Sequence, residues 1–281
     1  MTSENLISKT VESLGLNQVV PTVYQDTLQP LAKQAGKALE TIGRTVNAAL
    51  SPIKVLVSGI EWLEKDVEKR LTEKLEDVPQ ERIQTPHPTI AGPALEALRF
   101  AVNEPSLRDL YINLLSTSMD VESAYKAHPA FVEIIRQLTP DEARVIEVFV
   151  NQGALPLISV NAYSDDGNTL IAVLRHFSLI GKQANCVCPE LIPSYLDNLS
   201  RLGIVEILSG RLQTPGIYES LMTDPDLQWM LAGWQTRRPQ IIKECVRVTT
   251  LGMQFCDACL ITRKPVKKKR KRRQAKKVSN S

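Results

Sequence analysis

The sequence predicts a mainly α protein, with an N-terminal helical region, a winged-helix-like α+β C-terminal domain and a disordered basic tail. Three observations carry this prediction. Leu, Ile, Val and Ala supply most of the hydrophobic residues, and they recur every three or four positions, as on one face of a helix. After about residue 140, turn signals and shorter apolar runs interrupt this pattern. The C-terminal stretch RKPVKKKRKRRQAKKVSNS is almost wholly polar and basic.

Size and composition indicate an ordinary soluble chain. The 281 residues suggest two domains of about 150 residues each, and 43% hydrophobic with 23% charged residues is typical of globular proteins. The opening MTSENLISKTVESLG has no secretory pattern, and no run of 18 or more apolar residues predicts a membrane span. Five cysteines without a signal peptide indicate free thiols in a reducing compartment. We therefore expect a cytoplasmic location, with the inner-membrane surface as the alternative.

Four parts follow from these patterns. We predict N-terminal amphipathic helices in 1–85, a helical middle region in 86–138, a winged-helix-like domain in 139–262 and a disordered polybasic tail in 263–281. The Pro-rich stretch 79–93 reads as the connector between the first two parts.

The N-terminal helices allow two interpretations. Small residues are frequent in 22–51, and the next stretch, SPIKVLVSGIEWL, is the most apolar of the chain. One interpretation is a helical hairpin whose small residues permit close packing. The other is an amphipathic segment that enters a membrane interface or contacts a partner. The residues predicted to make that contact are Val55, Val57, Ile60 and Trp62.

The next elements are marked by proline and capping signals. A charged helix is predicted over 61–78, and Pro93 is predicted to open the following helix at its first position. His87, between two prolines, is predicted to be an exposed loop residue. Thr139 precedes Pro140 and an acidic first turn, which predicts a capped helix.

Beyond residue 140 the pattern changes from helical to mixed. Asp166 and Gly167 predict a turn, and 189–202 predict a helix that ends at Gly203. An apolar strand follows the helix, and a second strand and a closing helix come later. A helix followed by two paired strands is the winged-helix pattern. The predicted recognition helix carries Glu190, Asp197 and only one basic residue, which favours a protein-interaction scaffold over a reader of DNA sequence.

Sequence motifs for catalysis are absent. The chain contains no HExxH, GxxxxGK[ST], GxGxxG or GxSxG, and its three histidines are far apart. We therefore predict no enzymatic activity, no cofactor and no small-molecule substrate. The cysteine spacing CxC…CxxC permits a zinc site, but we favour small buried residues and predict no metal. The zinc alternative would use Cys186, Cys188, Cys256 and Cys259.

The tail carries a charge opposite to that of the rest of the chain. Of 34 Lys and Arg residues, 11 lie in 263–281, which leaves 23 against 31 Asp and Glu residues elsewhere. Such a tail binds phosphates of nucleic acid through counterion release or sits on anionic lipid; the remaining alternative is a solubilising tail that lies loosely on the acidic body. A protein partner or a second copy of the chain is also open. The predicted anion-binding residues are Arg263, Lys264, Lys267, Lys268, Lys269, Arg270, Lys271, Arg272, Arg273, Lys276 and Lys277.

One family resemblance emerges from longer stretches. PALEALRFAVNEPSLRDLYINLLSTSMD and HPAFVEIIRQLTPDEARVI resemble the Abi-alpha family of bacterial proteins, named for abortive infection, and the likeness extends over roughly 22–261. It implies a role in phage defence, in which an infected cell shuts down before phage progeny emerge. It brings no catalytic residues, and the basic tail departs from the family pattern. Our leading hypothesis is a non-enzymatic defence protein that acts on a membrane or partner through its N-terminal helices. The alternative is a nucleic-acid-associated winged-helix regulator that uses the tail for non-specific affinity.

Overall fold

The protein is mostly helical with one small antiparallel sheet. The computed structural model describes residues 29–52, 61–101, 103–150, 152–210 and 212–260. The predicted mainly α class is confirmed within these residues. The helices are α1 (Gln29–Leu50), α2 (Glu61–Lys74), α3 (Pro88–Leu98), α4 (Pro105–Met119), α5 (Ala130–Arg136), α6 (Pro140–Val150), α7 (Ile180–Gln183), α8 (Ile192–Arg201), α9 (Glu219–Met222), α10 (Pro225–Trp234) and α11 (Thr250–Cys259). The strands are β1 (Leu155–Tyr163), β2 (Leu170–Phe177), β3 (Val205–Leu208) and β4 (Gln240–Val248).

The first two helices pack against each other. The apolar stripe of α1 is buried from Ile42 to Leu50, whereas Leu39 is 39% exposed, and one apolar stripe of α2 is buried as well. A Cβ added at Gly43 would lie 3.7 Å from Thr72 Oγ1, so the two helices approach closely where α1 has no side chain. This packing is the one that the helical-hairpin interpretation predicts. The buried residues are Ile42, Val46, Ala49 and Leu50 of α1 and Leu63, Val67 and Leu71 of α2.

The helix after the Pro-rich connector starts earlier than predicted. α3 begins at Pro88, not at Pro93, which lies inside the helix. His87 caps it: its Nδ1 accepts a hydrogen bond from Thr89 N at 3.4 Å and lies 2.8 Å from Thr89 Oγ1. Proline is favourable at the first helical position, because the N–H group that it lacks would have no hydrogen-bond partner within the helix. The sequence prediction failed because histidine is not among the common capping residues.

The central element is α4, which packs against α2, α3, α5, α6 and α11. One apolar face of α4 is buried. Side chains near its end also hold the last helix: Asn113 Nδ2 donates to Cys259 O at 2.8 Å, and Thr117 Oγ1 donates to Ala258 O at 2.9 Å. The closing helix is thereby attached to the middle of the bundle. The buried face comprises Leu110, Tyr111, Leu114 and Leu115.

Two buried polar contacts fix the ends of α4 and α6. Arg82 Nη2 donates to Asp120 Oδ2 at 2.8 Å, and Asp120 is fully buried just after α4. At the start of α6, Glu142 N donates to Thr139 Oγ1 at 3.2 Å, and Thr139 N donates to Glu142 Oε2 at 2.6 Å. This reciprocal pair is a capping box, and it confirms the predicted cap.

The four strands lie in the order β2-β1-β4-β3, and every neighbouring pair is antiparallel. The predicted turn at Asp166 and Gly167 joins β1 to β2. β3 pairs with β4, but the chain between them contains α9 and α10. One face of the sheet joins the main core, and these two inserted helices cover the other face in a second, smaller core around Ile158, Val160 and Leu227.

The main hydrophobic core is continuous across the chain. It runs from Ile42 in α1 to Cys259 in α11 and includes residues of all three predicted folded parts. One main core therefore joins the helical bundle to one face of the sheet, and the second, smaller core lies on the other face.

Candidate binding cavity at the edge of the sheet

A cavity of about 540 Å3 lies at the free side of β2, between α7, the start of α8 and α10. A concave, largely apolar site with a few convergent polar groups is the usual form of a binding site. Its polar lining includes His176, Ser178, Lys182, Glu190 and Asp226. Its apolar wall includes Leu174, Phe177, Ile192, Leu227, Trp229 and Met230.

Irregular pairing of β2 directs His176 to this cavity. Ile158 pairs with Phe177 and Val160 with Leu174, so two residues of β2 lie opposite Ser159 alone. Such a bulge bends a strand and re-aims a side chain. His176 has φ of 53°, in the left-handed region that non-glycine residues rarely adopt. The bulge thus brings a buried imidazole to the cavity from an edge strand.

His176 belongs to a buried polar cluster on three strands. Ser159 Oγ donates to Glu244 Oε2 at 2.5 Å and accepts from His176 N at 3.1 Å. His176 Nδ1 lies 3.3 Å from the same carboxylate oxygen, and Arg175 Nη2 lies 3.4 Å from Nε2. Because the serine hydroxyl donates to the carboxylate and not to the ring, the cluster lacks the nucleophile–base hydrogen bond of a hydrolytic triad. Its evident effect is to tie β1, β2 and β4 together.

An ion pair closes one end of the cavity. Lys182 Nζ lies 2.9 Å from Asp224 Oδ2 and 3.0 Å from Asp226 Oδ2, which joins α7 to the start of α10. These hydrogen bonds raise the pKa of Lys182. Burial alone would raise the pKa of Asp224, but the hydrogen bond from Lys182 and backbone contacts outweigh it, and the pKa is lowered. Glu190, also exposed at the cavity, makes no ion pair with any described residue.

Exposed apolar side chains occur in the cavity lining, at Trp229, and next to lining residues in sequence, at Val187 and Leu191. Trp229 is 82% exposed and Val187 is 79% exposed, while Leu191 is 44% exposed. Large apolar side chains that remain in water beside an apolar cavity are typical of an interaction surface. This surface was not found from sequence, because its residues come from two segments that are about forty residues apart in the chain.

The loop that borders the cavity is fastened by Asp141. Its carboxylate accepts from Val187 N at 2.9 Å, Cys188 N at 3.0 Å and Tyr195 OH at 3.0 Å, and it contacts Arg144. Burial by itself raises the pKa of Asp141, but these hydrogen bonds reverse the effect and hold the pKa at about 2. The buried carboxylate is therefore charged at neutral pH and joins the start of α6 to the loop before α8.

The structure separates the cysteines of the zinc alternative into two settings. Cys186 and Cys188 are half-buried in the loop beside Asp141, whereas Cys256 and Cys259 are buried in α11. All are free thiols. Burial raises the pKa of Cys256 to about 12, and burial with the nearby Asp141 raises that of Cys186 to about 11. Across the described ranges, no group of three or more His, Cys, Asp or Glu residues is arranged to hold a metal ion.

The other predicted contact residues lie outside the described part of the chain. This holds for Val55, Val57 and Ile60 and for every basic residue of 263–281; Trp62 lies in α2, but its side chain is outside the description. Among the helices that the structure describes, none has the length and hydropathy needed to cross a bilayer.

Comparison with known proteins identifies a family. The family model described as "Abortive infection alpha" matches residues 60–259. The match begins at residue 60, whereas the likeness seen in the sequence began at about residue 22. No curated protein matches at a significant level. A solved structure of an uncharacterized protein from the hydrocarbon-degrading marine bacterium Alcanivorax borkumensis is 24% identical and covers 46% of this chain and 91% of its own, with a TM-score of 0.34.

Proposed function

Since the chain belongs to the abortive infection alpha family, we propose that it is a non-enzymatic phage-defence protein. Its N-terminal helices act on a membrane or on a protein partner after infection, and the C-terminal region around the sheet senses or regulates. The family match over 60–259 carries this proposal, since it includes α2, the whole sheet and α11.

The packing of α1 supports an effector role for the N-terminal helices. α1 is held to α2 through one apolar stripe that includes Ile42 and Val46. Its opposite side is exposed and includes Glu40, Arg44 and Ala48. A helix attached through one seam can leave its partner at a smaller cost than a helix buried on all sides. Its release would present an amphipathic surface to a membrane or partner.

The cavity supports a regulatory role for the C-terminal region. Its exposed apolar rim suits binding of another polypeptide. The Ser159 hydroxyl donates its hydrogen bond to Glu244 and not to the His176 ring, so the two do not form a nucleophile–base pair. This arrangement supports the non-enzymatic part of the proposal.

A phage challenge tests both parts. Cells that carry the protein or its variants are infected, and plaque formation, cell survival and protein abundance are measured. We expect Val55→Asp with Val57→Asp to abolish protection at unchanged abundance, because charge opposes entry into an apolar environment. Ser51→Asp, on an exposed residue nearby, is the control. Unchanged protection and solubility in the double variant would overturn the membrane-acting version.

The regulatory part has a matched pair of variants. Trp229→Ala removes an aromatic side chain from the cavity rim, and Phe100→Ala removes one of equal exposure, 84%, from a different surface. We expect altered protection only for Trp229→Ala. Equal protection by both variants would contradict a role for the cavity.

The alternative function is a nucleic-acid-associated regulator. It is supported by α8, which packs on a sheet in which β4 lies between β1 and β3, as in winged-helix arrangements, and by the basic tail. The exposed side of α8 weakens it: Ser194, Asp197 and Ser200 accompany Arg201, which already bonds Gln137 and Asn198. A groove-reading helix normally has excess positive charge.

Cell fractionation distinguishes the two functions. The full chain and a form that lacks 263–281 are recovered from nuclease-treated cells before and after infection. Tail-dependent recovery with membranes that increases on infection supports the defence effector. Recovery only with nucleic acid, with DNA affinity that falls steeply with salt and needs the tail, favours the regulator.

A further inference from the structure

The rim of the cavity at the edge of the sheet has an excess of negative charge. Glu190 and Asp226 line the cavity together with one lysine, Lys182, which pairs both with Asp226 and with the buried Asp224 just outside the lining. Glu190 is exposed and has no ion-pair partner in the described ranges. The rim therefore offers unpaired negative charge next to exposed aromatic and aliphatic surface.

Long basic side chains match this combination of groups. The aliphatic stems of Lys and Arg cover apolar surface while their charged ends stay in water, and a cation over an indole ring adds attraction. Trp229 is 82% exposed at the rim, with Glu190 and Asp226 lining the same cavity. The surface thus fits a short run of consecutive Lys and Arg residues better than a purely apolar segment.

The chain itself carries such a run, Lys267–Arg273, beyond the last described residue. We propose that this run binds in cis to the cavity rim and covers it. Docking neutralises Glu190 and Asp226, places a basic side chain beside Trp229 and withholds the tail's cations from phosphates elsewhere. The rim and anionic phosphates then compete for the same tail, which makes the contact regulatory. The proposal extends the regulatory role proposed for the C-terminal region, but the contact itself does not depend on phage defence.

The tail is long enough to reach the rim. α11 starts beside β3, where Thr249 N donates to Ile204 O. β3 and β2 are three strand spacings apart, about 14 Å, and the ten residues of α11 add at most about 15 Å. The separation of Leu260 from β2 along this path is thus about 30 Å or less. Nine extended residues span about 30 Å, so Lys269 and the basic residues after it reach the cavity.

Zero-length cross-linking tests the contact in the full-length protein. A carbodiimide joins a lysine amine to a carboxylate only when the two are in contact, and mass spectrometry identifies the pairs. We expect Lys269 or Lys271, which are far enough along the tail to reach the cavity, to be linked preferentially to Glu190 or Asp226. An equimolar mixture of isotope-labelled and unlabelled protein separates links within one chain from links between chains. Links spread evenly over exposed carboxylates such as Glu133 and Asp197, or links only between chains, would overturn the proposal.

Proteolysis of the tail gives a second, independent measurement. Trypsin cleaves after Lys and Arg, so a docked run is protected. Glu190→Gln and Trp229→Ala should each raise the rate of tail removal several-fold, because each removes a group that holds the docked run. The controls Glu133→Gln and Phe100→Ala should leave the rate unchanged. Equal cleavage rates in all four variants, with circular dichroism showing intact folds, would refute cis docking.

Discussion

Replacement of Asp141 by Asn should destabilise the protein in a pH-dependent way. The Asp141 carboxylate accepts three hydrogen bonds of 2.9 to 3.0 Å from two backbone amides and a tyrosine, and it also contacts Arg144. These contacts hold its pKa at about 2, against an ordinary value of 3.8. The difference corresponds to roughly 2–3 kcal/mol of folding free energy at neutral pH.

The sign of the pH dependence follows from the direction of this pKa change. A carboxylate with a lowered folded-state pKa contributes its full stability above the unfolded pKa, and that contribution is lost as pH falls through the folded pKa. The contribution of Asp141 should be nearly complete at pH 5, about half of its full value at pH 3 and mostly lost at pH 2. The stability gap between wild type and Asp141→Asn should therefore narrow as pH falls.

Urea unfolding followed by circular dichroism at pH 7, 5 and 3 measures this gap. Asp197→Asn is the matched control, because Asp197 is exposed on α8 and should change stability by less than about 0.5 kcal/mol. A gap below about 1 kcal/mol at pH 7, or one that stays constant between pH 7 and pH 3, would refute the assignment of Asp141 as a charged, hydrogen-bonded anchor.

Two further substitutions test the packing of the bundle and the closing helix. Arg82→Ala removes the arginine that pairs with the buried Asp120, and it should lower the free energy of unfolding in urea by about 3–5 kcal/mol. Arg82→Lys keeps a positive charge and should lower it by less. A decrease below about 1 kcal/mol for Arg82→Ala would contradict this reasoning. Gly252→Ala puts a Cβ 2.1 Å from Ile204 O, so the α11–β3 contact must shift, at a cost of about 1–3 kcal/mol or more. Thermal melts measure this loss. The control Gly233→Ala in α10, where an added Cβ meets nothing within 4 Å, should be neutral or slightly stabilising. Equal melting temperatures for the two alanine variants would contradict the close approach at Gly252.

Local signals predicted most of the helices. The stripe of α2, the capping box at Thr139 and the closing helix all depend on residues that are near one another in sequence. Elements were missed or misplaced where the local sequence signal is atypical. His87 caps α3 in place of the usual Ser, Thr, Asp or Asn, and β1 lies in a stretch whose apolar and polar residues do not alternate clearly.

The cavity was not predictable from local patterns. His176 reads as a lone histidine in VLRHFSLI, and only the bulge opposite Ser159 brings it beside Glu244. Trp229 reads as one apolar residue of a short helix. Trp229 becomes part of a cavity rim only because α10 packs next to α7 and the start of α8. Those elements lie more than thirty residues earlier in the chain.

The sequence by itself determined the mainly α class, the positions of most helices, the opposite charges of body and tail, and the family. These depend on composition, periodicity and local capping, which are encoded by neighbouring residues. Only the tertiary structure decided the strand order, the main core that joins the N-terminal, middle and C-terminal parts, the Asp141 anchor and the acidic, aromatic rim at the edge of the sheet. Each of these needs residues distant in sequence to meet at distances of a few ångströms, and no local pattern encodes which distant segments come together.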